Sequence, residues 1–280
     1  NYLPFSIPGL EILLSVIFIT LIGGLSLSFI GKKIFQIIND LLKKIPILRT
    51  IKESGVTFRS HLDGSRHRLT PESVVELQIG LGSDLVMPLD VCAAPDVGIK
   101  EAERASDITT RWAVRAAAHW RNREEGSQQL WGIVQGGHFS RIRAQSISQI
   151  EELDLPGTAI GGLSLGESRS QFETTIGETG TLLDSSRPHY LMGVGSPDLI
   201  LCGVEHGIDL FDSVYPTRIA RNAQALTHSG PLSLRSGIAA DSEEPIDSKC
   251  GCLVCDSHSR AYLRHLFKSK EIMAPILTTY

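Results

Sequence analysis

The sequence predicts an α/β fold around a parallel sheet, preceded by a transmembrane helix, and three observations lead there. From about residue 53 onward, short apolar runs alternate with helical stretches, the rhythm of βαβ units. Each of five such runs stops at a polar residue or a glycine: Asp90, Gln135, Gly161–Gly162, Met192–Gly193 and Asp212. Upstream, Ile12 to Gly31 ("ILLSVIFITLIGGLSLSFIG") is twenty residues without a charge. A helix of that length rises about 30 Å, enough to cross a bilayer core.

Taken in order, the first element is that apolar run. Lys32, Lys33, Lys43, Lys44 and Arg49 follow it, whereas only Glu11 precedes it, a bias that places everything downstream in the cytoplasm. A buried core helix is the bland alternative. A signal peptide is disfavoured because no basic stretch comes first. The segment "KKIFQIINDLLKKIPILRTI" reads as a basic amphipathic helix able to lie on the membrane surface. Residues 1–52 thus form one expected domain, anchoring the rest to the inner face of the cytoplasmic membrane. They resemble one hairpin half of a family of small two-span bacterial membrane proteins.

Beyond residue 53 the elements follow quickly. In "TPESVVELQIGLG", Thr70 caps a helix, Pro71 occupies its first position and Gly82 lies past its end. The apolar run "DLVMPLD" is succeeded by a helix from about Lys100 to Arg121 and by "LWGIVQGG". Helices near Ser140–Leu153 and Ser170–Leu183 flank "TAIGGLSLGE". A short helix from Pro197 separates "HYLMGVG" from "GIDLFD". In parallel α/β folds the carboxyl edge of the sheet carries the chemistry. A lone Asp there is more often a helix cap, but five consecutive strand ends suggest one site built from many loops.

Composition narrows the function. Net charge is −4, so the chain as a whole is no electrostatic nucleic-acid binder, although a local basic patch is compatible with it. Three of the five cysteines, Cys250, Cys252 and Cys255, fall within "KCGCLVC". This is a metal-ligand spacing in a reducing compartment, not a secreted disulfide framework. Tetrahedral zinc wants four ligands.

The segments "GVTFRSHLDGS", "GIVQGG", "AIGGLSLGE", "YLMGVG", "GIDLFDSVYPTRIARN" and "CGCLVC…SRAYLRHL" together resemble the tRNA-guanine transglycosylases, also called queuine tRNA-ribosyltransferases, from about Gly55 to Tyr280. The resemblance implies a (β/α)8 TIM barrel with a zinc-binding insertion, here residues 240–280 of a domain spanning 53–280. It implies exchange of the wobble guanine of tRNA for a 7-deazaguanine in queuosine biosynthesis. Asp212 would be the nucleophile that captures the ribose, as a carboxylate does in retaining glycosidases. Asp90 would accept from the N–H edge of the base. Gln135 and the Gly162 backbone N–H would hold its carbonyl oxygen, with Leu163 adjoining. Met192 would pack on the base face, and Cys92 would line the pocket. Arg218 and Arg221 would contact the tRNA. The plainer readings are a capping Asp212, a core Met192 and a solvated arginine pair. Leu165, where the eukaryotic type tends to carry glycine, favours the bacterial type, which takes 7-aminomethyl-7-deazaguanine. A homodimer formed near the zinc subdomain is implied in the same way.

Set against that family pattern, two things are missing. The "DSGGFQ" stretch with the general acid/base Asp does not occur in these residues, so the expectation is an incomplete barrel of about five strands out of eight. An open remnant exposes an unpaired edge, and the isolated chain is expected to lack normal exchange activity. The family's fourth zinc ligand, a His, would fall one position past Tyr280. His258 and His265 are poor substitutes, which leaves three thiolates and weaker binding. Two competing readings are a membrane-anchored, non-catalytic relative that binds tRNA or a partner subunit, and a bare zinc module. The latter leaves the ordered strand-end motifs unexplained.

Overall fold

A computed structural model describes residues 54–123 and 126–280. The expected membrane helix at 12–31 and the amphipathic segment after it lie outside the described residues. Among the described residues no helix is long and apolar enough to cross a membrane. The chain divides into two compact units at Thr70/Pro71, whereas the sequence motifs place a boundary near residue 53.

In the first unit the described part is a hairpin that the sequence reading had not marked. Strand β1 (Val56–Arg59) runs antiparallel to β2 (Arg66–Leu69), with Val56 opposite Leu69 and Arg59 opposite Arg66. Asp63 Oδ1 accepts from the N–H and the hydroxyl of Ser65 and so closes the turn. The Phe58 and His67 rings stack across the strands at 5.4 Å.

The second unit is the α/β body. Its order is α1 (Pro71–Gly80), β3 (Leu85–Val86), α2 (Ile99–Arg121), β4 (Gln129–Leu130), β5 (Gly132–Val134), α3 (Ser140–Glu151) and β6 (Thr158–Ile160). Then come α4 (Arg169–Leu182), β7 (His189–Leu191), α5 (Pro197–Glu205) and β8 (Leu210–Phe211). Strands β5, β6, β7 and β8 lie side by side in parallel, with Val134 opposite Ile160 and Leu191 opposite Phe211. Strand β3 pairs in parallel with β4. Only Trp131 separates β4 from β5, and its N–H donates to the Val86 carbonyl. The pair β4–β5 is therefore one strand position with a local interruption, and five parallel strand positions stand in sequence order. This is an α/β fold with a partial parallel sheet.

Helix α2 reads as amphipathic, and its buried stripe is mostly small: Ala102, Ala105, Ala113, Ala116 and Ala117, with Trp112 filling the wider gap. Small residues let the helix lie close to its neighbours. Over the sheet, Val134, Ile160 and Leu191 pack with Ile147, Ile150, Phe172 and Ile176 from α3 and α4. Each such buried side chain contributes roughly 1.5–3 kcal/mol. At the outer side of β3, the Gln78 carboxamide donates to the Met87 carbonyl and accepts from the Met87 N–H. A side chain there imitates one rung of a strand ladder.

After β8 the chain forms α6 (Tyr215–Arg221) and the hairpin β9 (Gln224–Thr227) with β10 (Gly230–Ser233). The helices α7 (Leu253–Ser257), α8 (Arg260–Lys268) and α9 (Met273–Thr279) follow. Leu234, Ile246, Val254, Leu263 and Ala274 give this part its own core, which takes in Ala223 and Ala225. That core begins earlier than residue 240, because the β9–β10 hairpin packs into it.

Candidate active site

The residues at the strand ends fall into two adjoining groups. In the first, Gln135 follows β5 and is only 1% exposed; its Nε2 donates to Asp90 Oδ2 at 2.6 Å. Gln135 Oε1 is buried with no hydrogen-bond partner, an arrangement that costs free energy until something donates to it. Gly161 and Gly162 close over this carboxamide. A Cβ at Gly161 would stand 2.5 Å from Gln135 Nε2, and one at Gly162 (φ +74) 2.6 Å from Gln135 Oε1. Only glycine permits that approach.

Burial pushes the Asp90 carboxyl above its ordinary range, opposed by the Gln135 hydrogen bond. Burial, then the Asp90 charge, push the Cys92 thiol up as well, while the Gly162 N–H and Gln135 draw it down. Cys92, an exposed residue, is consequently a thiol at neutral pH and not a nucleophile. Leu163 is 4% exposed and packs into the core with Phe172 and Val134, so its side chain belongs to the core and only its backbone reaches the sheet edge.

The second group centres on Asp212, the exposed residue after β8. The Tyr190 hydroxyl donates to Asp212 Oδ1 at 2.6 Å, and the Gly193 N–H donates to the same oxygen at 2.7 Å. One carboxylate oxygen is thus fixed twice, which leaves Oδ2 free of either bond and oriented by the pair. Burial, then the hydrogen bond to Asp212 and its charge, raise the Tyr190 pKa well above its usual value, so Tyr190 stays a donor at any ordinary pH. Met192 is half-buried between Tyr190 and Gly193 in the chain, and its N–H donates to the Ile160 carbonyl. That bond ties the end of β7, beside Asp212, to the end of β6, beside Gln135. Arg218 and Arg221 lie exposed on α6, the turn after Asp212, and no carboxylate among the described residues pairs with them.

Tyr190 escaped the sequence reading, although it stands two residues before Met192 and so shares its face of β7. We expect Tyr190→Phe to slow any covalent chemistry at Asp212 about tenfold or more, since a hydrogen bond to a charged group is worth roughly 1.5–3 kcal/mol. Single-turnover rates, with circular dichroism to verify folding, measure this. An unchanged rate would mean that Gly193 alone orients the carboxylate.

Away from the strand ends, the Sγ atoms of Cys250, Cys252 and Cys255 lie within 4.8 Å of one another. Neither His258 nor His265 joins them in that group. Asp247 locks the loop that carries them: its Oδ2 accepts from the His228 N–H and its Oδ1 from the Lys249 N–H, both holding its pKa down to about 2. The Cys255 N–H points at Cys252 Sγ, 3.5 Å away. Three convergent sulfurs with an N–H-supported acceptor fit a thiophilic metal ion. A cavity of about 400 Å³ opens beside them, also lined by His228, Thr279 and Tyr280. The recess bordered by Pro95, His138 and Gly162 at the strand ends is much smaller, about 10 Å³.

Fold and site together define an α/β protein whose parallel sheet gathers acids, an amide and glycines on its carboxyl edge and which carries, apart from these, a three-cysteine group able to hold a metal ion. The profile of the family described as queuine tRNA-ribosyltransferase matches residues 29–280, starting upstream of the motif-based boundary. The chain is 45% identical over 232 residues to the queuine tRNA-ribosyltransferase of Thermoanaerobacter sp. (strain X514), covering 83% of this chain and 61% of that protein. It is 48% identical over 233 residues to the protein of that name from Pelotomaculum thermopropionicum (strain DSM 13744 / JCM 10971 / SI), covering 83% and 62%. The chain belongs to the queuine tRNA-ribosyltransferase family. It spans about 61% of the length of the first of these relatives.

Proposed function

We propose that this chain carries the ribose-capture and base-recognition chemistry of a tRNA-guanine transglycosylase on a sheet of the (β/α)8 type, with tRNA bearing a wobble guanine and 7-aminomethyl-7-deazaguanine as substrates; normal turnover is not expected of the isolated chain, because the family's general acid/base Asp does not occur in these residues. The observation that supports it most is Asp212, held through one oxygen by Tyr190 and Gly193 with the other free. In this reading Oδ2 bonds to the ribose C1′ as the C1′–N9 bond breaks, and the electron pair leaves with guanine. Charge develops on the guanine carbonyl oxygen, where the Gly162 N–H and Gln135 Nε2 are the available donors. The incoming base then forms its N9–C1′ bond as the Asp212 Oδ2–C1′ bond breaks, and the N9 proton it gives up to solvent balances the proton that the departed guanine anion takes from solvent.

Entry of the base requires Gln135 to swing off Asp90, which turns the Asp90 oxygens to the N1–H and 2-amino groups. Cys92 and Met192 border the base. Arg218 and Arg221 provide charge for backbone phosphates.

The three cysteines would hold Zn2+, which cross-links the loop before α7 and contributes to folding when bound. No step of the exchange runs through it. We expect the purified chain to bind zinc through these thiolates and Cys252→Ser to lose it. Zinc analysis before and after mild chelation, with the melting temperature read alongside, tests this. Ion retention by the Ser variant would place the site elsewhere.

The deciding experiment for the exchange reading is covalent capture. The chain is incubated with tRNA bearing a wobble guanine and run on a denaturing gel. A retarded, protein-linked tRNA band supports exchange through Asp212. Binding of tRNA with no band gives a non-catalytic tRNA binder instead.

A further inference from the structure

Arg143, on α3, is 2% exposed and pairs with no carboxylate among the described residues. Burial pushes its guanidinium down to about 10. The Glu167 charge acts on it only at a distance, and a buried cation without a bonded counter-ion is expensive to keep. Its hydrogen bonds say what holds it: Nε and Nη2 donate to the Gly137 carbonyl at 3.0 and 2.6 Å, and Nη2 also donates to the Gly161 carbonyl at 3.1 Å. Nη1 is buried with no partner at all.

The Gly161 carbonyl and the Gly162 N–H belong to one peptide group. That peptide is trans, so the two point in opposite directions. Fixing the oxygen on the Arg143 side aims the N–H the other way, and on that side it meets the Cys92 sulfur at the edge where Gln135 and Asp90 lie. A charged donor on the carbonyl also polarises the peptide and strengthens its N–H as a donor.

We propose that Arg143 is a positioning residue for base recognition, orienting and polarising the Gly161–Gly162 peptide so that the Gly162 N–H takes the carbonyl oxygen of a purine-type base. The proposal rests on the base-site reading given above. Arg143 never touches the base. It acts through one peptide group, in the manner of a preorganised oxyanion donor.

The test compares three bases on the full chain by calorimetry. Guanine is the reference. 6-Thioguanine replaces the carbonyl oxygen by sulfur, a weaker acceptor, and hypoxanthine lacks only the 2-amino group. The unaltered chain should prefer guanine over 6-thioguanine about tenfold. In Arg143→Lys and Arg143→Gln that preference should fall to about twofold or less, while the preference for guanine over hypoxanthine, set by Asp90, persists. If both preferences collapse together, Arg143 is only a prop for the fold. If neither changes, the peptide needs no help. Either result overturns the proposal.

Should both variants fail to fold, the unaltered chain still decides by NMR. The Arg143 guanidinium and Gly162 amide resonances should both move with guanine and move less with 6-thioguanine. Identical responses to the two bases overturn the assignment. If the unaltered chain binds none of the three bases, the base-site reading itself falls and this assignment with it. Binding with unchanged preferences removes only the role of Arg143.

Discussion

Replacing Asp212 by Asn should eliminate the protein-linked tRNA band while leaving the chain folded. The amide is isosteric and can still accept from the Tyr190 hydroxyl and the Gly193 N–H, both of which meet Oδ1. What it loses is the charge and nucleophilicity of Oδ2, the oxygen that neither donor occupies. Removing a nucleophile of this kind costs roughly four orders of magnitude or more in rate. Tyr190→Phe removes an orienting contact and should cost only tens-fold. That ordering separates a nucleophile from its support. A protein-linked band that survives in Asp212→Asn would assign the covalent bond to another side chain, and the exposed carboxylate would revert to a helix cap before α6. Gel analysis with tRNA carrying a wobble guanine, and with tRNA carrying adenine there as control, reads both outcomes.

Asp90→Asn should move two properties in opposite directions. Burial holds the Asp90 pKa above its unfolded value, so its ionisation works against the fold. The stability it contributes is fully present below the ordinary carboxylate range near 3.8 and is lost as pH rises through the elevated folded pKa. Asn is neutral throughout, keeps an acceptor for Gln135 Nε2, and should raise the melting temperature at pH 7. Base recognition goes the other way. An ionised carboxylate accepts from both N1–H and the 2-amino group, whereas a carboxamide offers one acceptor and a conflicting donor. Guanine affinity should therefore fall at least tenfold in the variant. In the unaltered chain it should decline as pH drops through the raised Asp90 pKa, at a higher pH than an exposed carboxylate would show. Calorimetric titration with guanine at several pH values, beside thermal melts, measures both. A destabilised Asp90→Asn with normal guanine affinity would make Asp90 a structural partner of Gln135 and nothing more.

The parallel sheet was legible because periodicity and punctuation survive in one dimension. Helix ends predicted near Lys100, Ser140 and Ser170 fall within a residue of Ile99, Ser140 and Arg169. The five strand ends line up because a polar residue after a buried run is conspicuous. What stayed hidden depends on three-dimensional pairing. The hairpin Val56–Leu69 shows little alternation, since its side chains are nearly all exposed. Arg143 reads as a surface charge until it is set on the face of Ile147 and Ile150, four and seven residues on. Asp247 carries no spacing signal toward Cys250; its role comes from a hairpin nineteen residues earlier. The core packed against Cys252 and Cys255 likewise recruits Ala223 and Ala225, which no cysteine count could place. Leu163 borders the strand-end recess while its side chain packs in the core, a double placement that sequence adjacency to Gly162 does not reveal.

The close approach of Gly161 and Gly162 to Gln135 also constrains how this surface can change over evolutionary time. Position 161 has no room for a methyl group while a glutamine of this rotamer sits beneath it. A lineage that acquires alanine there must shorten or redirect residue 135 in the same interval, and reversion at one site without the other recreates the clash. Alanine at position 161 is accommodated only by a move of the Gln135 carboxamide, the same swing that base entry demands, so such a chain would hold Gln135 in its swung-out state before any base arrives.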